Sequence, residues 1–260
     1  GLFRLSVFGP SGDYARSAPI RDWLRNGMTP YDFRCNPAGV IAFVNRTPEI
    51  ARPPSSEGPL SAEVEVVVVG PTGSVTNLGR FPASEMYFKT PAAGPRHLGK
   101  RTTVGVGSKS VWIGTGDRYE VLQLSHQGER MSGVKEPTQV TRAVTDRQVQ
   151  QYVDAYFDRR PPRANTPQAR QFFRELEWPR TYPAFARVLV DWADNLWIEE
   201  YPIPGTPTTQ WAIYSPAGVK IAGIALPSDL RLFEAGSDYV LGAWRDEFGV
   251  DYVRLYTLLK

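Results

Sequence analysis

One cysteine and two histidines in 260 residues remove several chemistries at the outset. Cys35 alone cannot close an intramolecular disulfide or build a cysteine zinc site. His97 and His126 are too few for a histidine-rich zinc centre, and a Ser–His–Asp triad would have to use one of them. Long apolar runs are also missing. The best, Val66 to Val69, is strand-sized, against the roughly 18 residues of a membrane helix, so no transmembrane segment is expected. Neither sign of charge dominates: 30 Lys+Arg face 27 Asp+Glu, a net +3, which argues against a nucleic-acid-binding surface and against a charged disordered tail. A glycine-rich phosphate loop is missing too, since Gly105-Val-Gly107 lies in a strand-like run with no helix after it. No charged start followed by an apolar run precedes the first strand after Gly1, so no targeting peptide is visible.

Glycine and proline are plentiful instead, 23 of each, which breaks the chain into short segments and argues against a mostly helical fold. Four stretches repeat one hairpin pattern, a strand-like run followed by a four-residue turn that ends in glycine. The turns are Gly9-Pro-Ser-Gly12, Gly70-Pro-Thr-Gly73, Ser125-His-Gln-Gly128 and Ser215-Pro-Ala-Gly218. Proline in second place presets φ, and glycine in the last place tolerates positive φ. The closing glycines step by 61, 55 and 90 residues. The long step contains residues 145–182, whose pattern differs, and without those 38 residues it falls to 52, near the roughly 40–50 of a four-stranded propeller blade. A second kind of hairpin alternates with the first, over 33–46, 103–118, 187–201 and 231–246. Each unit therefore reads as strands a, b, c and d. The count is two strands at the start, three sets of four, and three at the end, about four and a quarter blades. The expected fold class is all-β, a β-propeller of four-stranded antiparallel blades forming a single domain over 1–260.

The Gly-Pro-Ser/Thr-Gly and Ser-Pro-Ala-Gly turns, the stretch Asp191-Trp-Ala-Asp-Asn-Leu-Trp-Ile-Glu199 and the closing run Tyr239 to Tyr256 carry a family resemblance. Together they resemble the carboxy-terminal part of six-bladed β-propellers of the NHL and TolB-like kind. The resemblance implies a bacterial protein working outside the cytoplasm, periplasmic or secreted. The chain opens in mid-blade and is one to two blades short of six, so the resemblance implies a closing d strand from upstream; a four-bladed closure would leave one strand surplus.

Residues 145–182 read as a helical hairpin. Val149, Tyr152, Val153, Tyr156 and Phe157 fall at i, i+3, i+4, i+7 and i+8. Thr145 or Asp146 caps the start, and Pro161-Pro162 stops the helix. Thr166-Pro167 opens a second helix with Ala169, Phe172, Phe173 and Leu176 on one stripe. The hairpin lies between strand d of one blade and strand a of the next, on the face where propeller ligands usually reach the central channel, so it suits a lid. Its seven arginines against five acids favour an anionic ligand.

His126 reads as a surface turn residue, and His97, close to the channel mouth, as the better binding candidate. The b strands end in Asn45-Arg46, Asp117-Arg118, Glu199-Glu200 and Arg245-Asp246, a ring of mixed sign. Its acids and Asn45 are hard ligands of the kind Ca²⁺ prefers, although alternation turns Glu199 and Glu200 to opposite sides. Trp112, Trp192, Trp197, Trp211 and Trp244 are expected to pack between sheets, whereas Trp23 and Trp178 lie outside the repeat and are freer to meet a ligand. No nucleophile–base pair emerges. The leading reading is a non-catalytic binding or scaffold propeller without a cofactor, taking a small anionic ligand or a protein partner. Its pocket would lie at the channel mouth under the helical lid, lined by Arg46, His97, Arg118, Tyr182, Glu200 and Arg245. The alternative is a calcium-dependent hydrolase of the lactonase type drawing on Asn45, Asp117, Glu199, Glu200 and Asp246. A third reading is a purely structural docking propeller.

Overall fold

The computed structural model describes residues 4–9, 11–23, 29–46, 57–60, 62–89, 92–136, 141–246 and 249–258. The chain is a β-propeller, with three complete four-stranded antiparallel blades. The first is β3 (Thr29–Cys35), β4 (Ile41–Arg46), β6 (Glu63–Val69) and β7 (Val75–Pro82). The second is β10 (Thr103–Val106), β11 (Ser110–Gly114), β12 (Glu120–Ser125) and β13 (Arg130–Lys135). The third is β14 (Arg187–Val190), β15 (Leu196–Glu199), β16 (Thr208–Tyr214) and β17 (Lys220–Pro227). A two-stranded sheet, β1 (Arg4–Phe8) and β2 (Tyr14–Pro19), precedes them. A three-stranded sheet, β18 (Leu230–Ala235), β19 (Tyr239–Arg245) and β20 (Asp251–Thr257), follows. This is the arrangement of a, b, c and d strands that the repeat predicts.

The repeated turns account for that regularity. In all four c–d hairpins the first turn residue (Gly9, Gly70, Ser125 or Ser215) donates its N–H across the turn, to Asp13, Ser74, Glu129 or Val219 at 2.8 Å. The closing glycine donates back to the first residue at 2.8–3.0 Å, with φ of +85, +87, +91 and +78° at Gly12, Gly73, Gly128 and Gly218. An alanine Cβ at Gly73 would touch nothing within 4 Å, so Gly73→Ala carries backbone strain alone and should lose about 1–2 kcal/mol. At Gly218 the same Cβ would fall 2.5 Å from the Gly133 carbonyl, so Gly218→Ala should cost more. Urea unfolding midpoints of the two variants check this order.

The a–b turns link one blade to the next. Asn36 Nδ2 donates to the Gly107 carbonyl at 2.7 Å, and the Ser108 N–H donates to Asp194 Oδ1 at 2.6 Å. The Trp192 N–H reaches the Ala235 carbonyl at 3.3 Å and its indole N–H reaches Glu234 at 3.0 Å. Within the third of these turns, Asp191 accepts from the N–H groups of Ala193 and Asn195, from Asn195 Nδ2 and from the Trp197 indole. Asp194 takes the left-handed place, φ +64°, which Asp tolerates better than most residues. The Asp191–Trp197 motif is therefore a turn device. Three apolar clusters fill the gaps between consecutive blades: around Val44, Val66 and Val104, around Trp112, Phe185 and Ile198, and around Trp197, Trp211 and Leu232. Trp192, expected to pack between sheets, is instead 61% exposed, because it stands on a turn.

Two elements decorate this frame. The first is the predicted helical hairpin, α1 (Asp146–Asp158) and α2 (Pro167–Arg174), between β13 and β14. Thr145 and Gln148 form a capping box at the start of α1, and Thr166 caps α2 ahead of Pro167. The second was not legible in the sequence. It is a small sheet of β5 (Gly58–Leu60), β8 (Met86–Lys89) and β9 (Ala92–Pro95), built from the connections on either side of β6–β7. The connection between β4 and β6 thus ends in a strand, and its residues 47–56 lie outside the described residues. Trp23 was read as free for a ligand but packs on Phe43 at 6.0 Å between ring centroids, with Ile20 and Val69 around it.

Candidate functional site: an arginine-lined channel mouth

Strand a of each blade lies innermost, so β3, β10, β14 and β18 bring their side chains together in a central cavity of about 650 Å³. Tyr31, Asp32 and Arg34 enter from β3, Arg101 from the approach to β10, Arg187 from β14 and Arg231 with Phe233 from β18. The b-strand ends add Glu199 and Arg245, and Arg159, at the C-terminal end of α1, reaches the same cavity. The helical hairpin therefore does overhang the channel, through one arginine.

Six arginines and five carboxylates line the cavity, and every carboxylate has a partner. Asp32 takes Arg34 at 2.7 Å. Arg187 donates Nε to Glu199 and Nη1 to the Leu232 carbonyl at 2.6 Å, so one side chain joins two blades. Arg245 grips Asp251 with both Nε and Nη2, at 2.7 and 2.8 Å, which holds the Asp251 carboxyl below its ordinary range. Asp229 accepts the Trp244 indole N–H, and Asp246 accepts the Val250 N–H at 2.9 Å. Arg101, Arg159 and Arg231 have no ion-pair partner among the described residues. Arg101 only approaches the Ala186 carbonyl, at 3.4 Å, and Arg231 lies over the Phe233 ring. The partners named for Asp229 and Asp246 are neutral N–H groups, so six arginines against five carboxylates leave the cavity a net charge of +1. Tyr31 completes the wall: its hydroxyl donates to the Thr102 carbonyl at 2.8 Å and burial pushes its pKa up, so it stays a neutral donor.

Of the six residues predicted for the pocket, Arg245 lines this cavity. Arg46 lies next to it, its guanidinium 5.4 Å from the Tyr31 ring centre. The other four are elsewhere. Glu200 pairs with Arg142 at 3.4 Å, on the opposite side of the strand from Glu199, as alternation requires. Tyr182 is buried beside Tyr201, ring centres 5.4 Å apart, and its hydroxyl has no partner among the described residues. Arg118 is exposed beside Asp117, whose carboxylate is taken by Lys100. Sequence reasoning missed Arg34, near the end of β3, and Arg159, just after α1, and also Arg101, Arg187 and Arg231, which sit at or near the start of a strands. For these last three, the shared position in the repeat was the available signal.

The predicted calcium ligands do not converge. Asp117, Glu199 and Glu200 are each held by a cation from a different element. Asn45 is fully buried in β4, and its amide atoms have no partner among the described residues. Among the described residues no three His, Cys, Asp or Glu side chains gather as metal ligands would, so this donor set does not fit a calcium ion.

His97 belongs to the cap and not to the channel. Its ring is surrounded by Tyr152, Tyr156, Phe173 and Trp178, with centroids 4.9–6.0 Å away, and Nδ1 shares a hydrogen bond with the Tyr152 hydroxyl at 2.8 Å. It clamps the hairpin to the small sheet. Burial, helped by the Arg160 charge, lowers its pKa below the ordinary imidazole value. The folded chain then binds this proton less readily than the unfolded chain, so the contribution is intact above pH about 6.5 and declines as pH falls below it. Melting curves at pH 7.5 and 5 should show an acid-side loss that is smaller in His97→Phe than in the natural sequence. His126 is the turn residue expected, its Nε2 3.2 Å from the Gly107 carbonyl.

The fold and this channel define the class: a β-propeller with a cationic channel mouth partly covered by a helical cap. No family model and no curated protein matches the chain. Among solved structures it is similar to the calcium-binding protein regucalcin from Agrobacterium tumefaciens, at 10% identity and TM-score 0.38, over 84% of this chain and 53% of that one. It is similar to a eukaryotic initiation factor at 10% identity and TM-score 0.34, over 99% and 58%. A protein from Bacteroides fragilis assigned as a 6-phosphogluconolactonase matches at 9% identity and TM-score 0.33, over 97% and 76%. The chain spans about half the length of the regucalcin it matches.

Proposed function

We propose that the chain is a binding module for a small polyanion, such as a phosphorylated or polycarboxylate metabolite, held at the channel mouth. The observation that carries this reading is the division of labour among the six arginines. Three neutralise carboxylates and fix the walls. Arg101, Arg159 and Arg231 face a 650 Å³ cavity without an ion-pair partner among the described residues. Guanidinium groups suit this role because they stay charged and present several N–H donors in a fixed plane. A cavity of this size is in the range of small-molecule sites. Arg159 couples the ligand to the cap, so occupancy would favour the hairpin in its docked position.

The test is calorimetric titration with inorganic pyrophosphate and with citrate at two salt concentrations. Saturable binding that weakens as salt rises supports the proposal; heat of dilution alone at both concentrations refutes it. The calcium-dependent hydrolase reading stands second, because among the described residues no three His, Cys, Asp or Glu side chains gather as metal ligands would. The turn motifs and closing run support the six-bladed NHL or TolB-like assignment, the regular repeat supports a single domain over 1–260, and the extracytoplasmic location is proposed from that resemblance alone. A protein partner on the propeller remains compatible with this fold.

A further inference from the structure

We propose that the cap carries a second binding site, independent of the channel, for a neutral, ring-sized aromatic group of a small molecule. A cavity of about 130 Å³ lies where α2 meets β8 and β9. Tyr87, Pro95, Phe172, Leu176 and Trp178 form its apolar walls. For scale, an engineered apolar cavity of about 150 Å³ stays dry and takes benzene.

Three observations give the site its chemistry. The walls are held in place: the Trp178 indole N–H donates to the Phe173 carbonyl at 3.2 Å, and His97, which also lines the cavity, lies tilted against Trp178 while bonded to Tyr152. The rim sets one cation against two carboxylates. Arg96, only 13% exposed, lies 3.8 Å from Glu85 and 3.7 Å from Glu177, so an anionic ligand would lose its hydration without gaining an unpaired counter-charge. The space is also kept open by the sequence, because Gly94 lines the cavity and a Cβ built on it would meet nothing within 4 Å. Gly94 has no positive φ that would demand glycine. A larger residue there would stand in the cavity instead.

The experiment follows the indole N–H resonance of Trp178, assigned by its loss in Trp178→Phe, during titration with toluene and, separately, with benzoate. The natural chain should show a saturable shift with toluene, with a dissociation constant of the order of a millimolar, and at least about tenfold weaker binding of benzoate. Gly94→Leu, with the other indole resonances unmoved, should weaken toluene binding at least about tenfold. If that variant does not fold, Phe172→Ala, at a position 38% exposed, should weaken it to a similar degree. No saturable shift in the natural chain, toluene binding unchanged in the folded variant, or benzoate bound as tightly as toluene would each overturn the proposal. The cavity shares no lining residue with the channel, so its failure and that of the polyanion site are separately visible.

Discussion

Replacing Arg101, Arg159 and Arg231 together by glutamine is expected to weaken pyrophosphate binding at least about a hundredfold, while leaving the melting temperature within a degree or two. Hydrogen bonds to charged groups are worth about 1.5–3 kcal/mol each, and the loss of one charge is partly offset by its neighbours, so a combined effect near 2.7 kcal/mol is a lower bound. The small effect on stability follows from position. All three side chains are exposed and hold no carboxylate among the described residues, and such surface changes usually stay within about 0.5 kcal/mol. Arg118→Gln is the matched control. It removes one such charge from an exposed site outside the cavity and should leave affinity unchanged. Calorimetry on the triple variant and the control measures both.

Arg187→Met should have the opposite profile, a large loss of stability. Its side chain and that of Glu199 are 12% and 10% exposed, and the same guanidinium donates to the Leu232 carbonyl of the next blade. Removing the arginine leaves Glu199 charged and nearly buried with no counter-ion, which typically costs about 3–5 kcal/mol. In a domain of this size that corresponds to a fall in Tm of about 6–20 °C. Removing both partners, Arg187→Met with Glu199→Leu, should recover most of the loss, because no charge is then stranded. A double variant as unstable as the single one would show that the contact to Leu232, and not the ion pair, dominates.

The fold was legible to a large degree because its signals are local. Each c–d turn needs a positive φ at one fixed place, and glycine at 12, 73, 128 and 218 announces it. The helical hairpin was legible for the same reason, through Thr145, the Pro161-Pro162 stop and the Thr166-Pro167 start. The sheet of β5, β8 and β9 was not, since its strands are three or four residues long and come from two different connections. The site was legible least. A channel is assembled from residues of successive a strands more than forty positions apart, and only the register of each a strand decides which arginine faces inward. Reading charge at the b-strand ends found Arg245 and the neighbouring Arg46, but it missed Arg101 and Arg231. His97 was drawn in by its nearness to the mouth in sequence, which hides its burial among Tyr152, Tyr156, Phe173 and Trp178.

Thermal unfolding of the natural chain in three separate buffers, with pyrophosphate, with CaCl₂ and with EDTA, tests the central claim most directly. A ligand present at a hundred times its dissociation constant adds about 2.7 kcal/mol, or about 5–11 °C in a domain of this size. The cationic channel predicts that rise with pyrophosphate and matching transitions in CaCl₂ and EDTA. A rise with calcium and none with pyrophosphate would contradict it.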